Sequence, residues 1–173
     1  MLSEIDTRPF PVAPPAFNLA GHVLSRAADL QKTALTLLHP DRDETLTYGE
    51  LLRLTQGCAT ALRTLGLSPG DRILLRFGNS LAFPILYLGA IWAGLVPIPT
   101  SAALTQGEIT KLAALVAPEF IAAEPGISLP DHPARVISPD LSAWATLPPA
   151  DLHEGDPNRE AYIVFTSGTS GMP

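Results

Sequence analysis

Residues 72–99 read RILLRFGNSLAFPILYLGAIWAGLVPIP, and this stretch decides the fold. An apolar run of strand length, residues 72–77, precedes an uncharged segment, residues 82–99, that is about long enough to cross a bilayer. Glycine or proline interrupts that segment at Pro84, Gly89, Gly94, Pro97 and Pro99. These interruptions favour a short helix after an Asn79–Ser80 cap, followed by a brief strand, over a membrane span. The stretch therefore predicts a buried strand–helix–strand unit.

Strands and helices alternate on both sides of this unit. Apolar residues at helical spacing predict further helices over residues 19–30, 48–66 and 106–117. Short apolar or β-branched runs predict strands over residues 33–39, 44–48, 119–124, 134–138 and 161–165. Residues 138–160 predict a loop-rich crossover with one helical turn near Trp144. The alternation predicts an α/β fold: a doubly wound, mostly parallel sheet with flanking helices, preceded by an extended Pro-rich leader over residues 1–16.

Composition excludes several classes of protein. The 173 residues allow one domain, and a hydrophobic fraction of 46% excludes a disordered chain. The single cysteine, Cys58, excludes an internal disulfide. A net charge of -6 without a basic cluster argues against nucleic acid as a partner. Because residues 1–10 lack the apolar core of a secretory signal, we expect a cytoplasmic protein.

The charged fraction is low, at 16% against roughly 25% in typical domains. It predicts a surface with an unusually large neutral area. Either a homo-oligomer or contact with a further part of the protein would cover such a surface.

The last residues, 166–173, read TSGTSGMP and carry the candidate chemistry. Hydroxyl side chains and glycine amides in consecutive positions suit a loop that wraps phosphate groups. The string does not match the GxxxxGK[ST] phosphate loop. From composition alone, a flexible linker or turn explains it equally well.

Residues 162–173, YIVFTSGTSGMP, resemble the signature loop of the adenylate-forming superfamily, which includes acyl-CoA ligases, luciferases and peptide-synthetase adenylation domains. The departure at Ser170, where threonine is usual, keeps the hydroxyl. Three upstream stretches are similar to further family motifs in the expected order: LTYGEL at 46–51, LSPGDR at 67–72 and LGAIWAGLVP at 88–97. The resemblance covers residues 17–173.

The resemblance implies that residues 17–173 are the N-terminal α/β subdomain of an AMP-binding domain, truncated inside the phosphate-binding loop one residue before the family's loop lysine. It assigns the ATP phosphates to Thr166, Ser167, Gly168, Thr169, Ser170 and Gly171. It assigns no catalytic residue and no metal ligand within this chain. The full-length enzyme would use ATP, Mg²⁺ and coenzyme A to convert a carboxylic acid to an acyl adenylate and then to a thioester. The 173-residue chain alone is expected to be inactive.

Two alternatives stay open: a stand-alone flavodoxin-like binding or regulatory domain without catalysis, and a peptide-synthetase adenylation domain. Residues 17–20, FNLA, resemble the opening of ligases for medium-chain or benzoate-like acids. Other reactive side chains have structural interpretations. Cys58 is expected in the core, Glu50 at a helix N-terminus, and the four histidines on the surface or at caps, without metal-ligand spacing: His22, His39, His132 and His153.

Overall fold

The computed structural model describes residues 16–165. Almost all of the predicted leader therefore lies outside the described residues. In chain order the elements are α1 (Leu19–Leu24), β1 (Thr33–Leu37), β2 (Glu44–Thr47), α2 (Tyr48–Thr64), β3 (Arg72–Phe77), α3 (Ala82–Ala93), β4 (Val96–Ser101), α4 (Gln106–Val116), β5 (Phe120–Ala123), β6 (Arg135–Ile137) and α5 (Leu141–Thr146).

The main sheet is parallel and has the strand order β4-β3-β5-β6. β3 is central, with Ile73 opposite Pro97 on β4 and opposite Phe120 on β5. β1 and β2 form a separate antiparallel pair. The predicted parallel α/β fold is confirmed, and α5 is the helical turn expected near Trp144.

The helices cover both faces of the main sheet because the chain reverses direction across it. The step from β3 to β4 runs one way, whereas the step from β4 to β5 passes back over β3. Right-handed crossovers then place α3 and α4 on opposite faces. Ile73 and Leu75 belong to the cluster with α2 and α3, and Leu74 lies in the cluster with α4.

Helices α2 and α3 pack closely at a glycine. A Cβ atom on Gly89 would lie 2.7 Å from Cys58 Sγ, so the helices approach across the small cysteine side chain. Cys58 is fully buried, and burial raises the pKa of its thiol. This placement confirms Cys58 as a core residue. Within residues 16–165, no helix combines the length and apolar character that crossing a bilayer requires.

Two predicted helix boundaries are wrong. The helix expected over residues 19–30 ends at Leu24, and Val23 and Leu30 are about half exposed. The chain turns there because the Leu30 carbonyl accepts from the Gly49 amide and the Lys32 carbonyl accepts from the Tyr48 amide. Helix α3 begins at Ala82 after Leu81, without a side-chain cap, so the expected Asn79–Ser80 cap does not form.

Helices α2 and α4 each begin with a capping box. Thr47 accepts from the Glu50 amide, and the Glu50 carboxylate accepts from the Thr47 amide at 2.8 Å. Thr105 and Glu108 repeat the arrangement on α4. These hydrogen bonds lower the pKa of Glu50 and of Glu108. Glu50 thus has the helix-terminal position expected from the sequence.

We predict that Gly57→Ala lowers the free energy of unfolding by about 3 kcal/mol. An added Cβ would lie 1.9 Å from the Trp144 backbone oxygen, so α5 must move away from α2. Urea unfolding measures the loss. Gly107→Ala is the matched control because nothing lies within 4 Å of its Cβ position, and it should be neutral or slightly stabilising. Equal stability of the two variants would contradict the close approach.

A second prediction concerns acid stability. Because the folded pKa values of Glu50 and Glu108 are below the ordinary value of 4.5, these carboxylates stabilise the protein above pH 4.5 and lose that effect as pH falls through their folded pKa values. The Glu50→Gln/Glu108→Gln variant should be less stable than the wild type at neutral pH and match it in acid. Urea midpoints measured across pH test this, and a constant difference would contradict it.

Candidate functional site

The six predicted phosphate-binding residues, Thr166–Gly171, lie outside the described residues. The described chain that leads to them is residues 161–165. These residues were expected to form a strand, but they form none. Their contact with the sheet is a hydrogen bond from the Ile163 amide to the Pro97 carbonyl oxygen on β4, at 3.1 Å.

The outer edge of β4 explains why the expected strand is absent. The Val96 amide donates to the Asp71 carbonyl, toward β3. Because alternate residues of a strand direct their amides to opposite edges, positions 97 and 99 face away from β3. Both are prolines and lack an N–H group. This edge therefore accepts hydrogen bonds but donates none at these positions, and a regular ladder cannot form.

Residues 161–165 run in the same direction as β4. Glu160, just before them, pairs with Arg72 at the start of β3, with 3.2 Å between Nη2 and Oε2. Ile163 lies farther along, beside Pro97, and Ile163 and Phe165 pack against the α4-side cluster. Tyr162 and Val164 are 44% and 57% exposed. The segment thus leads toward the carboxyl edge of the sheet, the edge at which its parallel strands end.

A fully buried cation, Arg76, organises this carboxyl edge. Its guanidinium donates to three carbonyl oxygens: that of Ser101 at the end of β4, that of Leu104 in the loop after β4, and that of Ser128 in the loop after β5. It also lies 3.3 Å from Thr100 Oγ1, which donates to the Leu75 carbonyl. One side chain therefore ties two loops to the central strand.

Carbonyl dipoles are the main compensation for the Arg76 charge. No carboxylate oxygen of a described residue lies within 4.0 Å of it. Burial lowers the pKa of Arg76, although a guanidinium stays protonated in proteins. A buried positive charge near the carboxyl edge favours an anion there. Sequence reasoning did not single out Arg76, although an arginine inside the apolar run ILLRF, residues 73–77, was a visible signal.

The crevice between the ends of β3 and β5 is closed by protein groups. Glu124 accepts from the Gly78 amide at 2.9 Å, and the Glu124 amide donates to the Arg76 carbonyl. Ligands of open α/β sheets commonly bind at such a crevice, where the strand order reverses. Nearby, Ser80 Oγ is buried and has no hydrogen-bond partner among the described residues.

Asn18 is a structural clamp. As the cap of α1, it accepts from the Gly21 amide at 3.2 Å. Its Nδ2 donates to the Ile91 carbonyl at 2.7 Å and to the His153 carbonyl at 2.9 Å. With 4% exposure and its polar atoms engaged, Asn18 fixes the end of α3 to the crossover. Asn18, the second residue of the FNLA motif, thus has a structural role.

The histidines do not converge. Among the described residues, no three His, Cys, Asp or Glu side chains could hold a metal ion together. His39 lies 3.3 Å from Glu44, and His132 accepts from the Ala134 amide. His153 differs from the expected surface or cap position because it is half-buried beside Gly94. Desolvation, Arg159 and Arg63 together lower its pKa.

Comparisons with known proteins agree with this fold. A family model described as AMP-binding enzyme matches residues 24–173. A long-chain-fatty-acid–CoA ligase of Mycobacterium tuberculosis is 28% identical over 169 residues, covering 88% of this chain and 33% of that protein. A benzoate–CoA ligase of Thauera aromatica is 35% identical over 117 residues, covering 65% and 22%.

Among solved structures, ATP-bound MatB from Rhodopseudomonas palustris has a TM-score of 0.74 at 24% identity, covering 90% of this chain and 33% of that one. This likeness shows a shared fold. The chain spans at most about a third of the length of each of these three proteins.

We predict that Arg76→Met loosens the loop after β4. Because three carbonyl oxygens lose a charged donor, the free energy of unfolding should fall by about 2 kcal/mol. The amide of Leu104, which donates to Ser101, should exchange with solvent about tenfold faster than in the wild type. Hydrogen exchange with mass spectrometry measures this. The exposed Arg42→Met is the control, and unchanged exchange in Arg76→Met would contradict the clamp.

Proposed function

Because the chain belongs to the AMP-binding enzyme family, we propose that it is the N-terminal part of an AMP-forming acid–thiol ligase of the acyl- or aryl-CoA synthetase type. The observation that carries this proposal is the family match over residues 24–173, which includes the loop motif. The names of the relatives, which are CoA ligases of fatty and aromatic acids, support the reaction class. Their greater length supports a longer enzyme in which this chain is one part.

The proposed reaction has two steps. A carboxylate oxygen attacks the α-phosphate of ATP, forming an acyl adenylate and releasing pyrophosphate. The thiol sulfur of coenzyme A then attacks the acyl carbon, and AMP leaves. Activation with ATP gives the acid a good leaving group. The protein must therefore hold the pyrophosphate in line and offset its charge.

We assign that task to Thr166, Ser167, Gly168, Thr169, Ser170 and Gly171. Hydroxyl groups would donate to the phosphate oxygens, and the glycines would let backbone amides approach closely. The direction of residues 161–165, toward the carboxyl edge, supports the assignment, as does the positive charge of Arg76 near that edge. The role is electrostatic and positional, without a covalent intermediate on the protein.

Mg²⁺ is proposed to arrive with the ATP phosphates, where it would offset their charge. Because the described residues offer no cluster of ligating side chains, we assign none of them to the metal. Both ATP and coenzyme A are abundant in the cytoplasm, and we propose that the enzyme acts there.

Acid-dependent exchange of labelled pyrophosphate into ATP tests the proposal. The full-length protein that contains this chain is assayed with a panel of aliphatic and aromatic carboxylates. At least one acid should support exchange, and the acyl-CoA product should form once coenzyme A is added. The 173-residue chain alone should show no exchange. Absence of acid-dependent exchange across the panel, in a folded protein, would overturn the ligase assignment.

A double variant tests the assignment of the loop to the phosphates independently of the reaction class. Ser167→Ala/Thr169→Ala in the full-length protein should lower the exchange rate about a hundredfold, because two donors to the leaving phosphates are lost. The exposed Thr36→Ala on β1 is the matched control and should leave the rate unchanged. An equal rate for the double variant would reject the loop assignment while leaving the reaction class intact.

A further inference from the structure

A cavity lies at the amino edge of the main sheet, the edge at which the parallel strands begin. Its volume is about 350 Å³. The turns before β3 and β4 form one wall, with Gly70 and Gly94 facing the cavity, and the crossover closes the other wall through His153 and Arg159. The volume is within the range of small-molecule sites. Two of the family-like stretches, residues 67–72 and 88–97, contribute to the wall at the turns before β3 and β4, whereas the proposed reaction does not use this edge.

Because Gly94 and Gly155 have no side chain, His153 and Arg159 can lie close to each other. A Cβ on Gly94, which has a φ of 86°, would lie 2.4 Å from His153 Cδ2. A Cβ on Gly155 would lie 2.9 Å from Arg159 Nε and 3.0 Å from His153 Nε2. The imidazole and the guanidinium therefore lie close to one point, beside the cavity that both of them line.

The Arg159 guanidinium lacks acceptors. Its Nε and Nη1 atoms are buried and have no hydrogen-bond partner among residues 16–165. Of the acidic residues close to Arg159 in the chain, Glu160 pairs with Arg72, and Asp156 accepts from the Asn158 amide. Buried donors of a charged group are costly to leave unpaired. Because these two nitrogens are shielded from solvent, a ligand in the cavity that Arg159 lines would reach them only after the side chain turns toward it.

The surrounding charges also favour an anion. Burial is the largest cause of the lowered pKa of His153, and the neighbouring Arg159 and Arg63 guanidiniums lower it further, so two cations lie near the imidazole. Among residues 16–165, Glu160 is the one carboxylate that lines the cavity, and Arg72 lies 3.2 Å from it and offsets its charge. Pro69 and Val96 add apolar surface. A ligand with an oxoanion head and a small apolar body matches this lining.

We propose that this amino-edge cavity binds a small oxoanion, a carboxylate or a phosphate group, between Arg159 and His153. Arg159 donates to its oxygens, and the His153 ring supplies a second polar contact. The ligand class follows from the unpaired guanidinium and the cavity together.

The test is a titration of the isotopically labelled full-length protein that contains this chain, followed by NMR of the Arg159 Nε–H and His153 ring signals. Inorganic phosphate and acetate are added in separate arms at neutral pH, with sodium chloride keeping the ionic strength constant. Saturable shifts at both side chains are expected in at least one arm, and the arm that saturates at lower concentration identifies the preferred head group. Shifts that grow linearly in both arms, or no shifts, would overturn the proposal.

Two variants distinguish binding in the cavity from non-specific attraction of anions to the protein. Arg159→Gln should weaken the binding at least about tenfold, as judged by the His153 signals. Arg26→Gln, which removes an exposed arginine that contacts His22, should leave the affinity within about twofold of the wild type. Equal binding by wild type and Arg159→Gln would reject the site. Should Arg159→Gln fail to fold, the wild-type Arg159 Nε–H titration still decides the question.

Discussion

The burial of β3 on both faces and along both edges is the constraint on which the structure depends. Its backbone pairs with β4 and β5, and Leu74 and Leu75 are fully buried on opposite faces. A strand in that position tolerates a polar side chain only where the protein supplies its partners. Arg76 meets this condition through the carbonyls of the loops after β4 and β5. The positions of those loops therefore depend on the Arg76 charge. They lie at the carboxyl edge of the sheet, toward which residues 161–165 lead.

The sequence predicted the features that depend on nearby residues. The alternation of strands and helices predicted the parallel sheet, and Glu50 lies at the helix N-terminus where it was expected. Features that depend on distant contacts were not predicted. The end of α1 is set by hydrogen bonds to the start of α2, and the four acceptors of Arg76 come from segments far along the chain. Composition cannot reveal which carbonyls meet a given donor.

The end of α3 couples the core to the chain that leads to the candidate loop. Trp92 donates through Nε1 to the Ala150 carbonyl, and its own carbonyl accepts from the His153 amide, each at 3.0 Å. Asn18 joins the same junction from α1. The crossover is thus fixed at His153, ten residues before Ile163, and its path there depends on contacts with the end of α3. This explains how residues 161–165 follow β4 with little help from a ladder.

The prolines on the outer edge of β4 also bear on how this protein behaves among its own copies. An exposed edge strand normally offers both donors and acceptors, and it can recruit a strand from another molecule into a growing aggregate. At Pro97 and Pro99 that edge offers acceptors alone, so an incoming strand gains half of the usual bonds. The outer edge of β4, beside which residues 161–165 form no full ladder, is therefore a poor template for strands of other molecules. Pro97 and Pro99 thus have two effects. They protect this edge from association with other copies, and they leave residues 161–165, which lead to the candidate site, with few hydrogen bonds to β4.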